Sequence, residues 1–241
     1  MPNRKVVAII QARMGSSRLP GKVMQDLGGK PVLARVVARV KRAQLIDDIW
    51  VATTQDAEDE AIVAWCNTNH INHYQGDEYD VLDRYYQAAL QAEADVVVRI
   101  TADCPMIDPS EIDRVVRAYL EGHGDFVSNR LPPPFIRTTP IGMDVEVVGI
   151  ADLRTAWEHA EAAYEREHVM PYFYDKAGRF RVYIVETTPS LGHLRFTIDT
   201  PEDLELAREI YAFFDNQDTF NLQSLLWASH HHPEWQVSVS Q

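Results

Sequence analysis

The chain has 241 residues, enough to bury a full core in one large domain, and its 46% apolar and 24% charged residues are an ordinary globular balance. A net charge of −13 argues against a nucleic-acid partner, and no run of about 18 apolar residues is present to cross a membrane. Cys66 and Cys104 stand in different contexts and no signal-peptide pattern surrounds Val6–Ile10, which predicts a cytoplasmic protein with free thiols.

Val6–Ile10 reads as a buried strand, and Leu33, Val36, Val37 and Val40 give a helix face at spacings of three and four. The pattern predicts a strand at Ile49–Thr53, a helix at Ala57–Asn67, a turn at Gly76-Asp77 and a helix at Val81–Ala92. It then predicts a strand at Val96–Ile100, a helix at Pro109–Leu120 and a strand at Asp125–Ser128. This βαβα rhythm indicates an α/β fold with a mostly parallel sheet and helices on both faces. After the break at Leu131-Pro132-Pro133-Pro134, strands are expected at Val145–Val148, Val182–Val185 and Phe196–Ile198. Helices are expected from Ile150 to about Tyr174, from Pro201 and from Asn221. The whole chain, 1–241, reads as one domain with a small inserted lobe at about 130–190.

Charge is distributed unevenly. Residues 1–42 carry ten Lys/Arg and one acid, whereas the remainder carries thirteen and thirty-five. Arg35, Arg39 and Arg42 are expected to form a solvated helix face. Arg13, Arg18 and Lys22 instead lie in the loop after the first strand, Gln11-Ala12-Arg13-Met14-Gly15-Ser16-Ser17-Arg18-Leu19-Pro20-Gly21-Lys22. Glycines let backbone N–H groups turn inward around an anion, and three cations at this spacing suit phosphates. The segment is not a G-x4-G-K-[ST] loop: five residues separate its glycines, and Val23 stands where a hydroxyl is required.

Asp103 and Asp199 each follow a predicted strand, at the same sheet edge as the basic loop. Helix capping does not require them, because Asp108 precedes Pro109, and Thr200 with Asp203 can cap the helix from Pro201. Two spare carboxylates beside a phosphate-binding loop suit Mg2+. His230-His231-His232 lacks further ligands at metal spacing and reads as a helix end. Met14, Tyr85 and Tyr86 read as packing.

The loop sequence resembles the signature of the cytidylyltransferases that activate acidic sugars, including CMP-Kdo synthetase and acylneuraminate cytidylyltransferase, and is most similar to the SpsF type of spore-coat polysaccharide biosynthesis. Gly76-Asp77-Glu78-Tyr79-Asp80-Val81-Leu82-Asp83-Arg84-Tyr85, Thr101-Ala102-Asp103-Cys104-Pro105, Arg166-Glu167-His168-Val169-Met170-Pro171-Tyr172 and Asp199-Thr200-Pro201-Glu202-Asp203-Leu204 are similar to further motifs of that group. The resemblance spans about residues 5–210 and implies a Rossmann-like, GT-A-like nucleotide-diphospho-sugar transferase sheet.

It also implies transfer of CMP from CTP to a sugar acid or sugar phosphate with release of pyrophosphate. Arg18, Lys22, Asp103 and Asp199 would be catalytic, the two aspartates holding Mg2+. Gln11, Ala12, Arg13, Gly15, Thr53, Asp83, Arg84 and Thr101 would surround the nucleotide. The inserted lobe would read the acceptor, with Asp144, Glu146, Arg166 and His168 as candidates beside ordinary structural roles. A homodimer is expected. Thr101 and Cys104 replace a Gln and a Glu of the CMP-Kdo synthetases, so the base, cytosine or guanine, is open. Two other readings share the sheet: a GT-A-type glycosyltransferase, which usually carries a D-x-D motif absent at Asp103, and a non-catalytic nucleotide-sugar-binding subunit.

Overall fold

The computed structural model describes residues 4–235. Strands β1 (Val6–Gln11), β2 (Asp48–Thr54), β3 (Asn72–Gly76), β4 (Val96–Thr101), β5 (Phe126–Ser128), β6 (Glu146–Gly149) and β7 (Val182–Ile184) form one sheet in the order β3-β2-β1-β4-β6-β5-β7. β1 pairs in parallel with β2 and β4, and β2 with β3. β6 runs antiparallel between β4 and β5, and β7 lies parallel to β5. The predicted strand at Phe196–Ile198 is instead extended backbone, joined to its neighbours by the bridge Ile141–Arg195 and by Ile198 N–H donating to the Asp103 carbonyl.

The helices are α1 (Val32–Val40), α2 (Glu60–Thr68), α3 (Val81–Gln91), α4 (Pro109–Leu120), α5 (Ile150–His159), α6 (Ala163–His168), α7 (Pro171–Tyr174), α8 (Pro201–Phe213) and α9 (Leu222–His231). β1 shows why both faces are covered. Ala8 and Ile10 join one apolar core with α1, α4 and α8, while Val7 and Ile9 join the other with α3 and α5. The helix expected from Ile150 to Tyr174 is three helices. Ala160 leaves helical geometry at ψ 110°, and Val169 takes φ 69°, a left-handed turn that ends α6.

Arg35 and Arg39 are not solvated, which corrects the expectation from charge. Both are buried, and their guanidinium groups donate to the carbonyls of Leu27, Gly28, Ile107, Asn216, Asp218 and Phe220. Arg35 lies over the Tyr211 ring and Arg39 over Phe220. The bonds to Leu27, Ile107 and Phe220 satisfy carbonyls that are buried. Tyr85 and Tyr86 are packed in the core, as expected, and the His230–His232 run ends α9.

Candidate active site

β1 and β4 end side by side at Gln11 and Thr101, and the backbone continues the pairing through Ala102 N–H on the Gln11 carbonyl. The basic loop leaves this edge and folds back on itself, with Ser16 and Gly21 N–H groups both donating to the Met14 carbonyl at 2.8 Å. Gly21 has φ 68°, which a side chain would resist. The loop is anchored by a buried carboxylate that the sequence reading did not single out. Asp59 accepts from Met14 N–H at 2.6 Å and from the hydroxyls of Thr53 and Thr54.

The fold brings Lys22 between the two expected aspartates. Its Nζ donates to Asp103 Oδ2 at 2.7 Å, to Asp199 Oδ1 at 2.9 Å and to the Ile198 carbonyl at 2.7 Å. Arg18 reaches the same Asp199 oxygen at 3.0 Å, and Arg195 Nη2 binds the other at 2.5 Å. Burial by itself would lower the Lys22 ammonium, but Asp103 and Asp199 outweigh it and hold the group above its ordinary 10.5. Burial would likewise raise Asp199, yet Lys22, Arg195 and Arg18 hold it below 3.8. Neither aspartate side chain is spent on a helix cap: Asp108 caps α4, and Thr200 and Asp203 form a capping box on α8, as expected.

Two adjoining cavities meet here. One, of about 300 Å³, is lined by Gln11, Arg13, Gly15, Arg18 and Lys22 together with Arg99, Thr101, Asp103 and Asp199. The other, of about 350 Å³, shares those last four residues and adds Arg130, Arg137, Asp144 and Glu146. Arg99 crosses the common wall, pairing with Glu146 on β6 and donating to Gln11 Oε1 at 3.3 Å. Arg137 holds both oxygens of Asp144. The Arg130 guanidinium makes no hydrogen bond among the described residues and stands 3.8 Å from Asp144. Its backbone is nevertheless fixed, by the Ser128 hydroxyl and by buried Asn129, which bonds Met143 and Val145.

Several expected residues are not brought to either cavity. Ala12 is buried behind the loop, with its N–H on the Ala52 carbonyl. Thr53 is buried, its hydroxyl on Asp59. Asp83 accepts from the Trp157 indole at 2.8 Å, and buried Arg84 lies against Gly76, where a Cβ would meet its Cγ at 2.5 Å. Arg166 is spent on Asp80, at 2.6 and 2.8 Å, and on the Trp157 and Ala160 carbonyls, tying α6 to the start of α3. His168 packs against Tyr164. Conversely, Arg99, Arg130, Arg137 and Arg195 line or brace the site without having been singled out. Arg99 carried a signal: a lone charge inside the apolar run Val96–Ile100.

Cys104 lies in the second cavity's wall, beside Thr101 and Thr197. Burial, then the neighbouring Asp103, pushes its thiol well above the ordinary range. No group of three or more His, Cys, Asp or Glu side chains that could hold a metal occurs among the described residues. Asp103 and Asp199, already converging on one ammonium, are carboxylates that could hold a divalent metal ion. No helix of the described residues is long and apolar enough to cross a membrane.

The chain is similar to known proteins over most of its length. Residues 7–228 match the cytidylyltransferase family. The spore coat polysaccharide biosynthesis protein SpsF of Bacillus subtilis is 31% identical, over 86% of each chain. A 3-deoxy-manno-octulosonate cytidylyltransferase of Anaeromyxobacter sp. is 33% identical, over 87% of this chain and 98% of its own. The solved structure of a cytidylyltransferase from Leptospira borgpetersenii is 30% identical and superposes with a TM-score of 0.89, covering 99% of both chains. The match spans most of the chain, and the chain belongs to the cytidylyltransferase family.

Proposed function

We propose that this nucleotidyltransferase moves CMP from CTP to a sugar acid and releases pyrophosphate, using Mg2+. The observation that carries the reading is the Lys22 ammonium shared by Asp103 and Asp199 beside the basic loop. The first cavity would take CTP, with Arg13, Arg18 and Lys22 along its phosphates, and the second would take the acceptor. Asp103 and Asp199 would hold Mg2+, which supplies charge neutralisation at the reacting phosphate.

The chain's own part is positioning and charge. Lys22 would leave the carboxylates for the phosphates and, with Arg18, stabilise the charge developing on pyrophosphate. The acceptor oxygen forms a bond to the α-phosphorus as the bond to the β-phosphate oxygen breaks. The hydroxyl proton would pass to Asp103, one oxygen of which is not bound by Lys22, and from there to solvent. Arg130, whose backbone is fixed and whose guanidinium has only a long ion pair with Asp144 among the described residues, suits the acid group of the acceptor, and Asp144 and Glu146 suit its hydroxyls. The reading includes a homodimer and a cytoplasmic location.

Pyrophosphate release should be measured with CTP, GTP, UTP and ATP, each against sugar acids and sugar phosphates. Turnover requiring CTP and a sugar acid supports the proposal. Turnover with GTP or UTP in place of CTP keeps the reaction type and removes the cytidine assignment.

A further inference from the structure

Three cations meet Asp199, and they divide its oxygens unequally. Oδ1 receives Lys22 at 2.9 Å and Arg18 at 3.0 Å, whereas Oδ2 receives Arg195 at 2.5 Å. The same Arg195 nitrogen stands 3.4 Å from Asp203 Oδ2. That Asp203 oxygen accepts the backbone N–H groups of Asp199 and Thr200 at 2.8 and 2.9 Å, within the capping box of α8. Asp199 is therefore tied to the start of α8 twice, through its backbone and through Arg195. Arg195 is itself fixed by the bridge to Ile141, flanked by backbone bonds from Ile141 to Leu194 and from Phe196 to Ile141.

A carboxylate turns easily about its last side-chain bond, so its plane could swing away from the cleft and leave no oxygen aimed at the cation site. Arg195 removes that freedom. We propose that Arg195 is a positioning residue: it holds Asp199 with Oδ1 toward the cation site shared with Asp103, and so sets the divalent-metal affinity of the nucleotide-bound enzyme. The inference rests on the proposed metal site. Its sign is diagnostic. A cation this close to a metal ligand opposes metal binding by charge, so if Arg195 acted as a charge only, removing it would tighten the metal. If it positions Asp199, removing it weakens the metal, as loss of such supporting partners generally does.

The test is Mn2+ titration, followed by electron paramagnetic resonance, on CTP-bound wild type and on Arg195→Met, Arg195→Lys and Thr200→Ala. Arg195→Met should weaken Mn2+ about tenfold or more. Arg195→Lys should recover most of that loss, since it keeps a donor for Oδ2. Thr200→Ala, which breaks the capping box, should lower Tm and leave Mn2+ affinity in place. Should Arg195→Met not fold, Arg195→Gln is read instead, with a smaller loss expected because its amide can still donate. Unchanged or tighter Mn2+ binding in the Met or Gln variant overturns the positioning role while leaving the metal site standing. A CTP-bound wild type that binds no Mn2+ overturns the metal site and this role together.

Discussion

Lys22 and Asp199 meet at 2.9 Å, and the same ammonium takes the carbonyl of Ile198, the residue just before that aspartate. A lysine from the loop after β1 thus binds both the backbone and the side chain of a segment 177 residues further on. The two carboxylates do not face each other unscreened, as spacing by itself would suggest. Asp199→Asn should therefore destabilise the metal-free protein by about 1–3 kcal/mol, the usual cost of losing a charged hydrogen-bond partner. Chemical denaturation checks this. Both Asp199→Asn and Asp103→Asn should lose Mg2+-dependent turnover.

The pH dependence of this network follows from the shifts. Asp199 is held below 3.8, so its contribution is present above that pH and is lost as the pH falls through the lower folded value. Lys22 is held above 10.5, so its contribution is present below that pH and is lost as the pH rises through the higher folded value. The stability difference between wild type and Lys22→Met should stay flat from about pH 5 to 9 and shrink at both extremes. Tm measured across pH checks it.

Arg18 and Lys22 should separate stability from catalysis. Arg18 is 62% exposed at its side chain, so Arg18→Ala should leave Tm unchanged, whereas Lys22→Met should lower it. Each should reduce kcat by about 10²–10³, corresponding to ~2.7–4 kcal/mol for a contact to developing charge. Wild-type turnover in either variant would remove it from the chemistry.

Arg130→Gln should raise KM for the acidic acceptor by about tenfold to a hundredfold, the loss of one charge-assisted contact, with KM for CTP and Tm unaltered. Arg137→Gln should do more, because it also releases Asp144. Steady-state kinetics with each substrate varied in turn distinguishes the two.

Arg166→Ala should behave in the opposite way. Its guanidinium joins Asp80 and two carbonyls rather than a cavity, so stability should fall by about 1–3 kcal/mol while kcat and both KM values hold. A selective rise in acceptor KM would return Arg166 to substrate recognition.

Periodicity made the first half of the sheet legible. β1, β2 and β4 are apolar runs, and α4 begins at Asp108-Pro109 as its capping residues require. β3 was not legible, because Asn72-His73-Tyr74-Gln75-Gly76 has neither alternation nor β-branched residues; it is a strand through pairing with β2. Lys22, Asp103 and Asp199 were readable as strand-end chemistry, but the lysine's seat between the aspartates depends on how the loop folds back on Met14. Arg35 and Arg39 were misread because their spacing marks a helix face without saying what covers it. Here the covering is the loop 216–220, nearly two hundred residues away in the chain.

Beyond the wall it shares with the first, the second cavity draws much of its own lining from one part of the chain. Arg130, Arg137, Ile141 and Gly142 line the second cavity without touching the first, and all lie within one short stretch of chain. On the proposed assignment, a transplant of that stretch between relatives changes the second cavity and leaves the first cavity's lining in place. One position must travel unaltered. Gly142 has φ 96°, and a Cβ there would come within 2.7 Å of the Phe196 backbone, so any side chain would press on the strand-like segment that leads to Asp199. Diversification of that wall therefore has to pivot around a fixed glycine.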